Sequence, residues 1–136
     1  MLLRLLGGCS IMALCVIVHA AGVTWAIKRL RQIPPPAAFW PGTWLFIRLA
    51  IWMVLLHLVE ITAWAILYLV NGAMPDTASA LYFSAVTYTT TGYGDLVLPL
   101  EWRLHGGIEA LTGILMCGWS TGFFFAIVNR LYVRQA

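Results

Sequence analysis

Ten residues decide the fold of this chain: Val86 to Asp95, which read Val-Thr-Tyr-Thr-Thr-Thr-Gly-Tyr-Gly-Asp. A hydroxyl-rich segment runs directly into Gly-Tyr-Gly, and a lone carboxylate follows. Two long apolar stretches flank it, Trp44 to Val70 before and Ile108 to Val128 after. A phosphate-binding loop also uses glycines, but it needs a lysine and a preceding strand, and neither is present here. An ordinary turn would leave the flanking stretches unexplained.

The composition indicates a chain that lies almost wholly in lipid. Of 136 residues, 62% are hydrophobic and 10% are charged, and about 20 apolar residues suffice to cross a bilayer core. Three stretches qualify: Leu2 to Ile27, Thr43 to Val70 and Ile108 to Val128. Little sequence is left for a soluble domain and no serine has a base at a meaningful spacing, so we expect no enzyme. The net charge of +3 suits membrane topology better than nucleic-acid binding.

The order of apolar span, short helix, Thr-Thr-Gly-Tyr-Gly-Asp and apolar span resembles the pore domain of potassium channels. This resemblance implies an all-α membrane protein with three transmembrane helices, a re-entrant pore helix and an extended selectivity filter. It also implies a homotetramer in membrane lipid that conducts potassium ions passively and has no other cofactor. The chain would then comprise an N-terminal helix with a basic end (1–32), a Pro-rich cytoplasmic connector (33–42) and the pore domain (43–133).

The filter can be understood from the backbone. A cation that enters lipid must exchange its water shell for an equally polar one, and a ring of backbone carbonyls can supply it. Carbonyls point the same way along a strand when ordinary and left-handed residues alternate, and Gly92 and Gly94 can take positive φ without a Cβ penalty. Four such strands surround one ion, while this chain has one copy. The filter interpretation therefore requires four chains.

The resemblance also assigns the filter residues. The potassium sites would be lined by Thr90, Thr91, Gly92 and Tyr93, and Gly94 would complete the filter. Asp95 would form a hydrogen bond behind the filter, with further support from Val86 and Thr87. Many members of the family have Val or Ile in place of Thr91, so the extra hydroxyl of Thr91 needs a partner.

The inner helix is expected to begin at Arg103. Gly113 matches the hinge glycine of the family by its spacing, although a packing role explains it equally well. One helical face would line the cavity and the gate region. That face consists of Ile114, Cys117, Thr121 and Phe125, and it extends to Asn129.

The short helix should begin with Asp76 or Thr77 as its N-cap and run to about Thr89. It is too short to cross the bilayer, and its partially negative C-terminal end would favour a cation. Glu60 and Glu109 lie at membrane depth. Each would either provide a carboxylate behind the filter or be neutral and hydrogen-bonded to a neighbouring helix.

Basic residues set the orientation. Lys28, Arg29 and Arg31 lie between the first two spans, and Arg130 and Arg134 lie near the C-terminus. By the positive-inside rule both segments face the cytoplasm and the N-terminus lies outside. From the brevity of the chain we expect a plasma (inner) membrane. The alternative, a cleaved signal peptide, would place the first basic run on the wrong side.

The first span lacks an arginine at every third position and is therefore not a voltage sensor. We expect it to pack outside the tetramer or against a neighbouring subunit. The three cysteines lie in apolar spans and the three histidines in separate segments, so neither set predicts a disulfide or a metal site. Two alternatives remain to a potassium channel: a weakly selective cation channel and a non-conducting accessory subunit.

Overall fold

The computed structural model describes residues 2–34 and 39–130, with side chains from residue 5 onward. Within these residues the regular structure is entirely helical. The elements are α1 (Leu2–Arg31), α2 (Phe39–Val70), α3 (Thr77–Tyr88), a 3-10 turn (Leu100–Trp102) and α4 (Arg103–Val128). The helices α1, α2 and α4 are long and apolar enough to cross a membrane. The predicted all-α fold with three membrane helices and one short helix is confirmed.

Two helix boundaries differ from the prediction. Helix α2 begins at Phe39 rather than Thr43, because Pro41 lies in its first turn, where a backbone N–H has no intrahelical partner in any case. The predicted connector 33–42 therefore overlaps α2, and its residues 35–38, like the C-terminal residues 131–136, lie outside the described part of the chain. Helix α1 continues beyond Ile27 to Arg31, and its last turn carries basic side chains that stabilise the C-terminal end.

The short helix α3 begins and ends where its sequence indicates. Asp76 is its N-cap: one carboxylate oxygen accepts from the Ser79 N–H at 2.9 Å and the other from the Ser79 hydroxyl at 2.8 Å. The helix ends at Tyr88 with Thr89 as the C-cap. Its 12 residues span only about 18 Å, which is too short for a bilayer crossing.

Two apolar clusters hold the helices together. In the first, aromatic residues of α2 and α3 pack beside the 3-10 turn, and the Tyr68 ring meets Phe83 edge-on at 5.4 Å. In the second, α1 packs against α2 and α4. Its members are Val23, Ala26, Leu30, Leu49, Met53, Leu56, Phe123 and Ile127.

Helix α1 is an integral part of this bundle. It contacts both α2 and α4, whereas α2 and α4 contact each other much less. Gly22 of α1 lies so close to Leu56 that a Cβ there would overlap the leucine side chain. These contacts lie within one chain, and the position of α1 outside the tetramer or against a neighbouring subunit stays a prediction.

Candidate functional site

The segment after α3 has an alternating backbone. Thr90, Gly92 and Gly94 have φ values of 59°, 50° and 78°, and the residues between them do not have positive φ. The two glycines adopt the left-handed conformation predicted for them. Thr90 was not expected to do so, since a β-branched residue at positive φ is strained by about 1–3 kcal/mol. Strain of this kind concentrates at functional sites.

Hydrogen bonds to the end of α3 hold this backbone in place. The Gly92 N–H donates to the Val86 carbonyl at 3.0 Å, and the Thr90 N–H donates to the Thr87 carbonyl at 2.9 Å. Val86 and Thr87, two of the three residues named as filter support, thus contribute backbone acceptors. The Thr91 hydroxyl lies 2.9 Å from the Thr89 hydroxyl, which gives it the partner that its position demands.

Asp95 is held by a residue that the sequence did not indicate. The Tyr82 hydroxyl on α3 donates to one oxygen of Asp95 at 2.6 Å, and the Leu96 N–H donates to the other at 3.1 Å. The Tyr82 hydrogen bond lowers the pKa of Asp95 below its ordinary value. The carboxylate is therefore charged at neutral pH, and the loop after the filter is tethered to the outward face of α3.

If Thr90 to Gly94 form the filter that the sequence predicts, Tyr82→Phe should reduce potassium flux a few-fold, because the loop loses its tether. A depressed pKa means that the Asp95 interaction is complete above the ordinary aspartate pKa and is lost only as pH falls through the lowered value. Wild-type flux should therefore not respond to this group above about pH 4. Asp95→Asn is the matched control, since it removes the charge but keeps an acceptor oxygen. Equal flux from Tyr82→Phe and the wild type in liposomes would contradict the tether.

The predicted filter and cavity residues are exposed in the single chain. Tyr93 is 72% exposed and Phe125 is 67% exposed, and Ile114, Cys117 and Thr121 are exposed on the same face of α4. The opposite face of α4 is buried against the rest of the chain. Its buried residues are Thr112, Met116, Ser120, Phe123 and Ile127.

One comparison with known proteins gave a match. A family model described as "Ion channel" matches residues 11–130, which is most of the chain. The chain belongs to this ion channel family. It is thus an integral membrane protein of the ion channel class. No curated protein and no solved structure matched.

In this channel Gly113 is a close-packing residue. A Cβ at Gly113 would overlap the carbonyl oxygen of Tyr88 and would lie 2.7 Å from its carbonyl carbon. The inner helix α4 therefore touches the backbone at the end of α3. Gly107, Gly118 and Gly122 have open space within the chain, so packing within the subunit explains Gly113 and not these three.

The channel also contains a buried polar network. Glu60 accepts a hydrogen bond from the Tyr88 hydroxyl at the end of α3, and its two oxygens lie 2.9 Å from His19 Nδ1 and 3.2 Å from His57 Nδ1. Ser120 of α4 lies beside both imidazoles. Although the histidines lie in separate segments of the sequence, the fold brings His19 and His57 together with Glu60. Only the spacing of His57 and Glu60, three residues apart on one helix face, could have indicated part of it.

The second intramembrane acid has a different partner. The Tyr68 hydroxyl of α2 donates to Glu109 of α4 at 2.8 Å, and both residues are fully buried. Both acids are thus hydrogen-bonded to side chains of neighbouring helices, which is the contact, but not the charge state, that one of the two expectations specified. Of the two, Glu60 is the one that contacts the last residue of α3.

Proposed function

We propose that this channel is selective for potassium and conducts it passively through Thr90 to Gly94 of four identical chains. The observation that carries the proposal is the alternating backbone, with positive φ at Thr90, Gly92 and Gly94. Such alternation lets successive carbonyl groups face one side, where they replace the water shell of an ion. Potassium would bind at Thr90, Thr91, Gly92 and Tyr93.

The surrounding charges favour a cation. The C-terminal end of α3 carries a partial negative charge, and it leads directly into the filter. Asp95 and Glu101 place carboxylates in the loop after it, where they would concentrate cations. With the basic end of α1 and Arg130, which follows α4, in the cytoplasm, the N-terminus lies outside and this loop faces the outer surface of the plasma (inner) membrane.

Four chains are needed because one filter strand provides only one side of a coordination ring. The exposed face of α4, which carries Ile114, Cys117, Thr121 and Phe125, would line the cavity of the tetramer. Thr121 and Phe125 would lie near the gate. Asp95, Val86 and Thr87 would support the filter from behind.

Flux in liposomes tests the proposal directly. We expect potassium flux that exceeds sodium flux at least tenfold, and cross-linked or detergent-solubilised protein with the mass of four chains. Equal potassium and sodium flux would instead support a weakly selective cation channel. Absence of flux from correctly assembled tetramers would indicate a non-conducting accessory subunit. A dimer would contradict the four-fold pore.

A further inference from the structure

Three side chains of metal-ligand type converge where α1 and α2 meet the end of α3. The possible ligand atoms of His19, His57 and Glu60 all lie within 4.8 Å of one another. Both imidazoles present the same atom, Nδ1, to the same carboxylate, at 2.9 and 3.2 Å. His19 and Glu60 are fully buried, and His57 is partly buried. A carboxylate and two imidazoles thus meet at one point inside the bundle.

The other nitrogen of each ring faces a single hydroxyl. Ser120 Oγ lies 3.2 Å from His19 Nε2 and 3.1 Å from His57 Nε2. A serine hydroxyl has one hydrogen and two lone pairs. If both rings are neutral and carry their hydrogen on Nδ1, both Nε2 atoms need a donor, and Ser120 can serve only one. Two neutral imidazoles with hydrogen on Nδ1 would therefore leave one Nε2 atom without a hydrogen-bond donor among the contacts seen here.

A metal ion bound to the two Nδ1 atoms would give each ring nitrogen a partner. Each ring would then carry its hydrogen on Nε2, and both N–H groups would donate to the two lone pairs of Ser120. The Ser120 hydrogen would be free to point to the sulfur of Met53, which lies 3.7 Å from Oγ. Ligating histidines commonly donate their second N–H to such an acceptor, which fixes the tautomer.

We propose that His19, His57 and Glu60 bind a divalent transition-metal ion of the zinc class. Two imidazoles and a carboxylate are a zinc ligand set that leaves a fourth position for water or another oxygen. The Tyr88 hydroxyl, 3.2 Å from His57 Nδ1, is a further oxygen beside these side chains. The site goes beyond ion conduction and does not depend on potassium selectivity.

Binding would link distant parts of the chain. The ion would join α1 to α2 directly, and Glu60 would join it to the hydroxyl of Tyr88, the last residue of α3. Thr89 and the filter follow immediately. Bound metal would therefore stabilise the position of the filter relative to α1. Removal of the metal should make both the filter and α1 less firmly held in the bundle.

Metal titration of the full-length protein tests the site. The protein is purified without a polyhistidine tag, stripped with a chelator, and titrated with Co²⁺ alone and with Zn²⁺ alone. We expect one ion per chain and the visible absorption of cobalt with nitrogen ligands, which Zn²⁺ should abolish by displacement. His19→Asn and Glu60→Gln should lose at least about 100-fold in affinity, and Ser120→Ala about 10- to 100-fold. His105→Asn, a buried histidine of α4 outside the cluster, should bind as the wild type does.

Several results would overturn the proposal. One is wild-type protein that binds no cobalt or zinc; another is His19→Asn that binds as tightly as the wild type. A single extra proton would also satisfy the donors and acceptors of this cluster. Wild-type protein that takes up a proton and binds no metal would show that the cluster holds that proton instead of a metal ion. If His19→Asn does not assemble, two other measurements decide between the outcomes. One is the metal affinity of Ser120→Ala, and the other is the unfolding temperature of the stripped wild type compared with that of the zinc-loaded wild type. An unchanged unfolding temperature together with unchanged Ser120→Ala affinity rejects the site.

Discussion

Gly94→Ala should abolish selective potassium flux while leaving the three membrane helices intact. Gly94 has φ of 78°, and an L-residue with a Cβ in the left-handed region costs about 1–2 kcal/mol per chain. In a tetramer this penalty falls four times on one filter. The alanine filter would relax away from the alternating backbone, so we expect potassium flux in liposomes to fall more than tenfold, with any residual flux less selective over sodium.

Gly72→Ala provides the matched control. Gly72 lies in the loop between α2 and α3 and has φ of 67°, and a Cβ at this position, as at Gly94, would meet nothing within 4 Å in the single chain. It carries the same backbone penalty outside the filter. We expect a small loss of stability and an unchanged potassium-to-sodium ratio. Gly94→Ala channels that conduct with wild-type selectivity would contradict the filter assignment.

Gly113→Ala should destabilise the protein by about 1–3 kcal/mol or more, as overpacking of a tight contact does. The new methyl group would overlap the backbone of Tyr88 rather than the end of a flexible side chain. Either α4 or the end of α3 must shift, and the filter begins one residue after Thr89. We expect a lower unfolding temperature in detergent and a loss of flux.

Gly107→Ala is the control on the same helix, because a Cβ there meets nothing within 4 Å in the chain. It should preserve or slightly raise stability, since alanine is favoured over glycine inside a helix by about 1 kcal/mol. The hinge interpretation makes a different prediction for Gly113→Ala: normal unfolding temperature with altered opening. That outcome would show that the contact with Tyr88 yields easily and that flexibility is the role of Gly113.

Local signals in the sequence located most of the fold. The Asp76 cap and the apolar lengths predicted α3 and the three long helices, because caps and hydropathy depend on neighbouring residues. Because of the Pro41-Gly42 pair, the start of α2 was predicted too late, at Thr43 instead of Phe39. Proline breaks a helix in its interior but not in its first turn. The glycine dihedrals at positions 92 and 94 followed from the absence of a Cβ, whereas nothing local marks Thr90 as left-handed.

Contacts between distant residues could not be predicted in this way. The Tyr82–Asp95 tether spans the whole filter, and the polar network joins His19 to Glu60 and Ser120 across several helices. A single sequence carries no signal for such pairs, because their chemistry becomes meaningful only when the helices are packed. The absence of a metal spacing in the sequence was therefore a poor guide to the surroundings of His19.

The position of α1 has a consequence for biosynthesis. Its His19 contacts Ser120 of the final helix, 101 residues later in the chain. The ribosome must therefore release Ser120 into the membrane before these partners can meet. The contacts of His19 and His57 with Glu60 lie within the first two helices and can form earlier, whereas both contacts with Ser120 require the last helix.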